Sequence, residues 1–141
     1  MNANEAKLTA LTTAPSGSMV EDSAPNTPAS GSFDLVLKAV AGSVLGNGGA
    51  PYTLTVSTID LTAVSQPWPV QTLHQAFDEG SGWKLSGAGP DYEYTQTFPI
   101  AVPGNGPGGQ LAGHTLQAVV SLISQNGQVV SIIKSDPFVL V

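Results

Sequence analysis

The chain has 141 residues, 41% of them hydrophobic and only 10% charged, with 16 glycines, 11 prolines and no cysteine. Lys7, Lys38, Lys84 and Lys134 are its only basic side chains apart from two histidines, and against ten acids they leave a net charge of -6, which excludes a phosphate-backbone binder. Without cysteine there are no disulfides, thiolate nucleophiles or Cys-ligated metals.

The length suits one domain. No apolar run approaches the ~18 residues of a membrane span. The first ten residues, with Glu5 and Lys7, lack the apolar core of a secretory signal. Residues 1–32 hold Pro15, Pro25 and Pro28, many Ser, Thr and Ala, and no sustained apolar period. Alone, such a segment does not bury enough surface to offset a backbone ordering cost of ~1–2 kcal/mol per residue. It reads as an extended arm or linker, with Lys7–Thr12 able to become a strand or a helical turn under a partner. Leu8, Leu11, Met19 and Val20 are the side chains it offers to a neighbour.

From Phe33 the pattern turns to period-two alternation broken by turns, the mark of an all-β fold. Phe33, Leu35 and Leu37 share one face of a strand, with Asp34 and Lys38 on the other. Residues 46–51 form a Gly-rich loop. Tyr52, Leu54 and Val56 then alternate with Thr53, Thr55 and Ser57; at Thr58-Ile59 the alternation slips, which predicts a bulge or a strand change after which Ile59 and Leu61 take the apolar positions. Gln66-Pro67-Trp68-Pro69 predicts an edge or loop. Residues 70–77 follow as a strand with Leu73 and Phe77 inward, and residues 78–90 as a glycine-rich loop holding at most a short strand.

Tyr92, Tyr94, Gln96, Phe98, Ile100 and Val102 share one parity of a long strand, after which residues 103–109 form a loop. Leu116, Ala118, Val120 and Leu122 define the next strand. Asn126-Gly127 predicts a type I′ hairpin returning residues 129–133 along it, and Ser135-Asp136-Pro137 predicts a bulge or sheet switch before residues 138–141. About seven strands result. In this rhythm, in the Gly49-Ala50-Pro51-Tyr52-Thr53-Leu54-Thr55-Val56 strand entry and in the closing hairpin, residues 33–141 resemble an immunoglobulin-like or fibronectin-III-like antiparallel sandwich, without the Cys-Trp-Cys framework of antibody domains. The likeness implies a fold and no activity.

Candidate chemistry is sparse. His74 and His114 are the possible general bases; Asp78 lies on the His74 side of a strand but ~13 Å along it, too far to pair, and His114 at a strand start reads as a solvated imidazole. Gly31-Ser32 and Gly80-Ser81-Gly82 lack the strand–helix setting of a nucleophile elbow. Asp78, Glu79, Asp91 and Glu93 lack the spacing of a calcium loop and read as solvated turn acids. Residues 104–109 have neither the lysine nor the helix of a phosphate cradle. Neither a catalytic residue nor a cofactor is expected.

Two readings of function remain. The first is a non-catalytic structural or protein-interaction subunit, self-assembling or docking on another subunit through the arm and through sheet edges that few lysines guard. A virion, injection-apparatus or extracellular filament component fits it. The second is a carbohydrate-binding module with Trp68, Trp83, Tyr92 and Tyr94 as its platform, unless the tyrosines face the core.

Overall fold

The computed structural model describes residues 2–18, 20–22, 32–66, 69–101 and 113–139. Nine strands are formed among them: β1 (Ala6–Pro15), β2 (Ser32–Ala41), β3 (Pro51–Asp60), β4 (Gln71–Ala76), β5 (Lys84–Leu85), β6 (Tyr92–Ala101), β7 (Thr115–Ser124), β8 (Val129–Lys134) and β9 (Phe138–Val139). They make two antiparallel sheets, β1-β2-β6-β5 and β4-β3-β7-β8, with β9 also on β7. Two stacked sheets in this strand order give an immunoglobulin-type sandwich. The expected architecture holds, with β1 and β5 as the two additional strands.

β1 corrects the arm reading. Residues 6–15 pair along β2 from Ala6↔Ala41 to Pro15↔Phe33, with an irregularity between Leu8 and Ala10. Ala6 and Leu8 point into the core before that step, Leu11 and Thr13 after it, and all four are buried. An extra residue reverses the parity of a strand, so its two short inward sets, half of them Ala or Thr, show no single apolar period. The segment has a hydrophobic home in its own molecule. Residues upstream are also tied down: Gly42 donates to the Glu5 carbonyl at 2.8 Å, and Val44 and Leu45 donate to the Ala3 carbonyl at 3.0 and 2.9 Å.

The core lies between the sheets. Phe33, Leu35 and Leu37 of β2 and Phe98 and Ile100 of β6 meet Leu54 and Val56 of β3, Leu116, Ala118, Val120 and Leu122 of β7, and Phe138 of β9. Asp34, on the opposite parity, is buried as well, because residues 16–18 fold over it and the Gly17 amide donates to its carboxylate at 2.9 Å. At one side the sandwich is nearly closed: β1 runs beside β8, and the Leu8 amide donates to Ser131 Oγ at 3.1 Å.

Two local expectations are revised. β3 runs without a slip, so Thr58 and Asp60 continue the inward row while Ile59 and Leu61 are exposed. The β7–β8 turn is not type I′, since Gly127 alone has positive φ (84°) while Asn126 does not. Gly127 donates to Ser124 at 2.9 Å, Ser124 donates to Gln128 at 2.9 Å, and the register shifts beyond Leu122. These are the features of a three-residue loop with a glycine bulge. The predicted break at Ser135–Pro137 is present, and Ser135 bridges it by donating its amide to the Ala118 carbonyl and accepting the Ala118 amide on Oγ, both at 2.9 Å.

Candidate functional site: the open side of the sandwich

Opposite the β1–β8 closure, the two sheets part between β4 and β6. An amide and phenol network lies behind this opening. Trp83 Nε1 donates to the Tyr52 hydroxyl at 2.9 Å, Tyr52 donates to Gln75 Oε1 at 2.8 Å, and the Tyr94 hydroxyl lies 2.5 Å from Gln75 Oε1 and 2.8 Å from Gln96 Oε1. Tyr94 has one hydroxyl hydrogen, so it serves one of the two amides at a time. Burial is the main cause raising both the Tyr52 and the Tyr94 hydroxyl above the ordinary tyrosine value, so both stay neutral donors.

The rings are positioned by the segment between β4 and β5. Asp78 Oδ1 accepts the Ser81 amide at 2.8 Å, and the Asp78 carbonyl accepts the Trp83 amide at 3.2 Å. Gly82 supplies the left-handed turn (φ 106°) that swings Trp83 inward. Trp83 stacks on Tyr94 with centroids 4.9 Å apart and planes 14° off parallel, and Phe77 touches both Trp83 (5.1 Å) and Tyr52 (4.5 Å).

Trp83 and Tyr94 are 1% and 2% exposed. They form core, and the proposed sugar platform does not include them. Tyr92 is half-buried over Gly46, where an added Cβ would lie 2.5 Å from its ring, and Trp68 lies outside the described residues. Of the four arm residues, Leu8 and Leu11 are core of their own sandwich, Val20 is 74% exposed, and Met19 lies outside the described residues.

Among the described residues, backbone groups at the opening are left without a partner along two short runs. Asp91 offers its carbonyl to Ser86, so alternation turns the odd-numbered residues of β6 toward β5. Beyond the β5 pairs at Glu93 and Tyr92, Thr95 and Thr97 face the open edge. The Thr97 carbonyl accepts Gln96 Nε2 at 3.2 Å, and Pro99 has no amide hydrogen to offer. On β4, Phe77 pairs back to Gly49 and Ala50, so the even-numbered residues face outward; the Ala76 amide and carbonyl are engaged by Ser81 Oγ and the Asp78 amide, leaving Thr72 and His74. No lysine stands on either run.

The candidate acids and bases are held separately. His74 Nδ1 lies 3.0 Å from Thr53 Oγ1 on the outer face. At the other end of β3, Asp60 Oδ2 pairs with His114 Nδ1 at 2.7 Å, and Asp60 Oδ1 accepts the Thr62 and Ala63 amides at 2.9 and 3.1 Å. The His114 hydrogen bond is the main cause holding the Asp60 carboxyl below its usual range, aided by the two amides. His114 is therefore an Asp-paired side chain and not a free solvated one. The pair fastens the turn after β3 to the start of β7, where Leu61 also donates to the Thr115 carbonyl at 2.8 Å. Asp60 was missed because the expected slip at Thr58 removes it from the inward row; unbroken alternation from Tyr52 points to it. Among the described residues no group of three or more His, Asp and Glu converges as a metal site.

No protein-family model matches the chain, and no curated protein matches it. Among solved structures, a putative β-galactosidase from Bacteroides fragilis superposes with TM-score 0.51 at 13% identity, over 94% of this chain and 17% of that one. A β-glucuronidase from Bifidobacterium dentium gives 0.41 at 8% identity, over 96% and 18%. The sporulation control protein Spo0M from Bacillus subtilis gives 0.40 at 11% identity, over 96% and 49%. The chain thus spans about one sixth of the first of these. The likeness to it is one of fold, a β-sandwich.

Proposed function

We propose that the chain is a non-catalytic structural or protein-interaction subunit that associates with protein partners, copies of itself foremost, through the open side of its sandwich. The observation that carries this reading is the pair of backbone runs left open among the described residues, Thr95–Thr97 on β6, where the Thr97 carbonyl alone is capped, and Thr72–His74 on β4. Natural sheets usually block such edges with lysine, proline or a covering segment. Here β6 has one proline and one amide cap, which shorten the edge without closing it. An added strand from a partner would satisfy the remaining groups. With β1 held inside its own sheet, the docking expected of the arm and the sheet edges together falls to the edges. A virion, injection-apparatus or filament-type component uses association of this kind.

The test blocks the edges without changing charge. Thr72 and Thr95 are exposed and turn their amides outward, so Thr72→Pro and Thr95→Pro remove no ladder hydrogen bond. Light scattering across a concentration series should show mass rising with concentration for the wild type and less so for the double variant, with circular dichroism confirming that both keep the sheet. A wild-type chain that stays monomeric and captures no protein would refute the reading.

A further inference from the structure

Three of the four lysines stand on the outer face of the β1-β2-β6-β5 sheet. Pairing aligns Lys7, Val40, Glu93 and Lys84 in one row, and Lys38 and Thr95 in the next. Lys38 and Lys84 flank a hollow of about 260 Å³ whose walls include the hydroxyl-bearing Thr9 and Thr95. None of the four lysines lies within ion-pair distance of a carboxylate among the described residues, where the one such pair is His114–Asp60. Glu93 lines the same hollow, and Asp34, the other acid on this face of the strands, is buried at the far end of β2 beneath residues 16–18, so the surface around the three lysines is locally positive, while the remaining eight acids are set against Lys134 alone.

An exposed acidic complement lies at the far end of β1. Glu21 and Asp136, both exposed, line a common hollow with Leu11, Pro137 and Phe138. The Asp22 amide donates to the Thr13 carbonyl at 2.8 Å, which stitches this acidic segment onto β1. Thr9 and Thr13 are ~13 Å apart along the strand. That exceeds a Debye length of ~8 Å at physiological salt, so within one copy the two patches scarcely neutralise each other.

We infer that the Lys38–Lys84 hollow receives the Glu21–Asp136 end of a second copy, joining chains head to tail. The contact uses two different patches, so it is heterologous and builds rings or filaments. Thr95 belongs both to the hollow and to the open edge of β6, so charge pairing and strand addition act at one place. The inference rests on the assembly reading above and names its partner surface.

The test is charge reversal in the full chain, with sedimentation velocity at low and high salt as the readout. Wild-type mass should rise with concentration at low salt and fall as salt is added. Lys38→Glu with Lys84→Glu, and separately Glu21→Lys with Asp136→Lys, should each weaken association by at least ~10-fold, and the quadruple variant should regain it. All four sites are exposed, so the melting temperature should hold. If the wild type associates but neither reversal matters, or the quadruple variant stays apart, this contact is wrong and the assembly reading survives. A wild type monomeric at every salt and concentration overturns both.

Discussion

Gly42 lies where β2 leaves its sheet, directly beneath the backbone of residues 2 and 3. A Cβ there would lie 2.1 Å from the Asn2 carbonyl oxygen, 2.5 Å from the Ala3 carbonyl carbon and 2.6 Å from Ala3 Cα. These are main-chain atoms, which do not rotate aside. Gly42→Ala must therefore push the segment off, and with it the bonds from Gly42 to Glu5 and from Val44 and Leu45 to Ala3. At about 1 kcal/mol net per hydrogen bond, losing three costs about 3 kcal/mol. Because Gly42 does not hold a positive φ, alanine also stiffens the unfolded chain, which offsets roughly 0.4–1 kcal/mol. The expected net loss is about 2 kcal/mol. It should appear in urea unfolding as a lower midpoint at unchanged slope. Gly87→Ala is the control: no atom lies within 4 Å of its Cβ, so it should be neutral or slightly stabilising. Equal stability of Gly42→Ala and wild type would show that residues 2–5 do not pack on this turn.

Tyr52→Phe removes the acceptor of the buried Trp83 indole and should cost about 1–3 kcal/mol, seen in thermal melts with a shifted tryptophan emission; an unchanged melt contradicts the network. The Asp60 carboxyl is held below its unfolded value of about 3.9 chiefly by His114, so its contribution is present above that pH and is lost as pH falls through the folded value. Wild-type stability should drop below about pH 4, and Asp60→Asn should flatten that drop while lowering stability near neutrality; an acid limb unchanged by the substitution refutes the role given to this pair.

The parts of the fold legible in the sequence are those whose inward residues are large and strictly alternating. Phe33-Leu35-Leu37, Phe98-Ile100 and Leu116 through Leu122 announce both the strand and its buried face. β1 was illegible because its inward set is small and changes parity between Leu8 and Ala10. The end of β3 misled for a different reason: its inward positions carry Thr58 and Asp60, polar groups acceptable inside only because partners await them. Asp60 has three, supplied by Thr62, Ala63 and, 54 residues along the chain, His114. No local pattern reveals such a distant partner. The same holds at the open side, where the segment from Asp78 to Trp83 reads as a loop, and only the fold shows that Gly82 turns an indole into the core between Tyr52 and Tyr94.

Native-state hydrogen exchange on dilute protein tests the central claim most directly, that residues 6–15 are a strand of their own chain's sandwich. The laddered amides of β1 should be protected comparably to those of β2, and that protection should not change on dilution. Exchange of β1 at unfolded-chain rates while β2, β3 and β7 stay protected, or protection that vanishes on dilution, would contradict it.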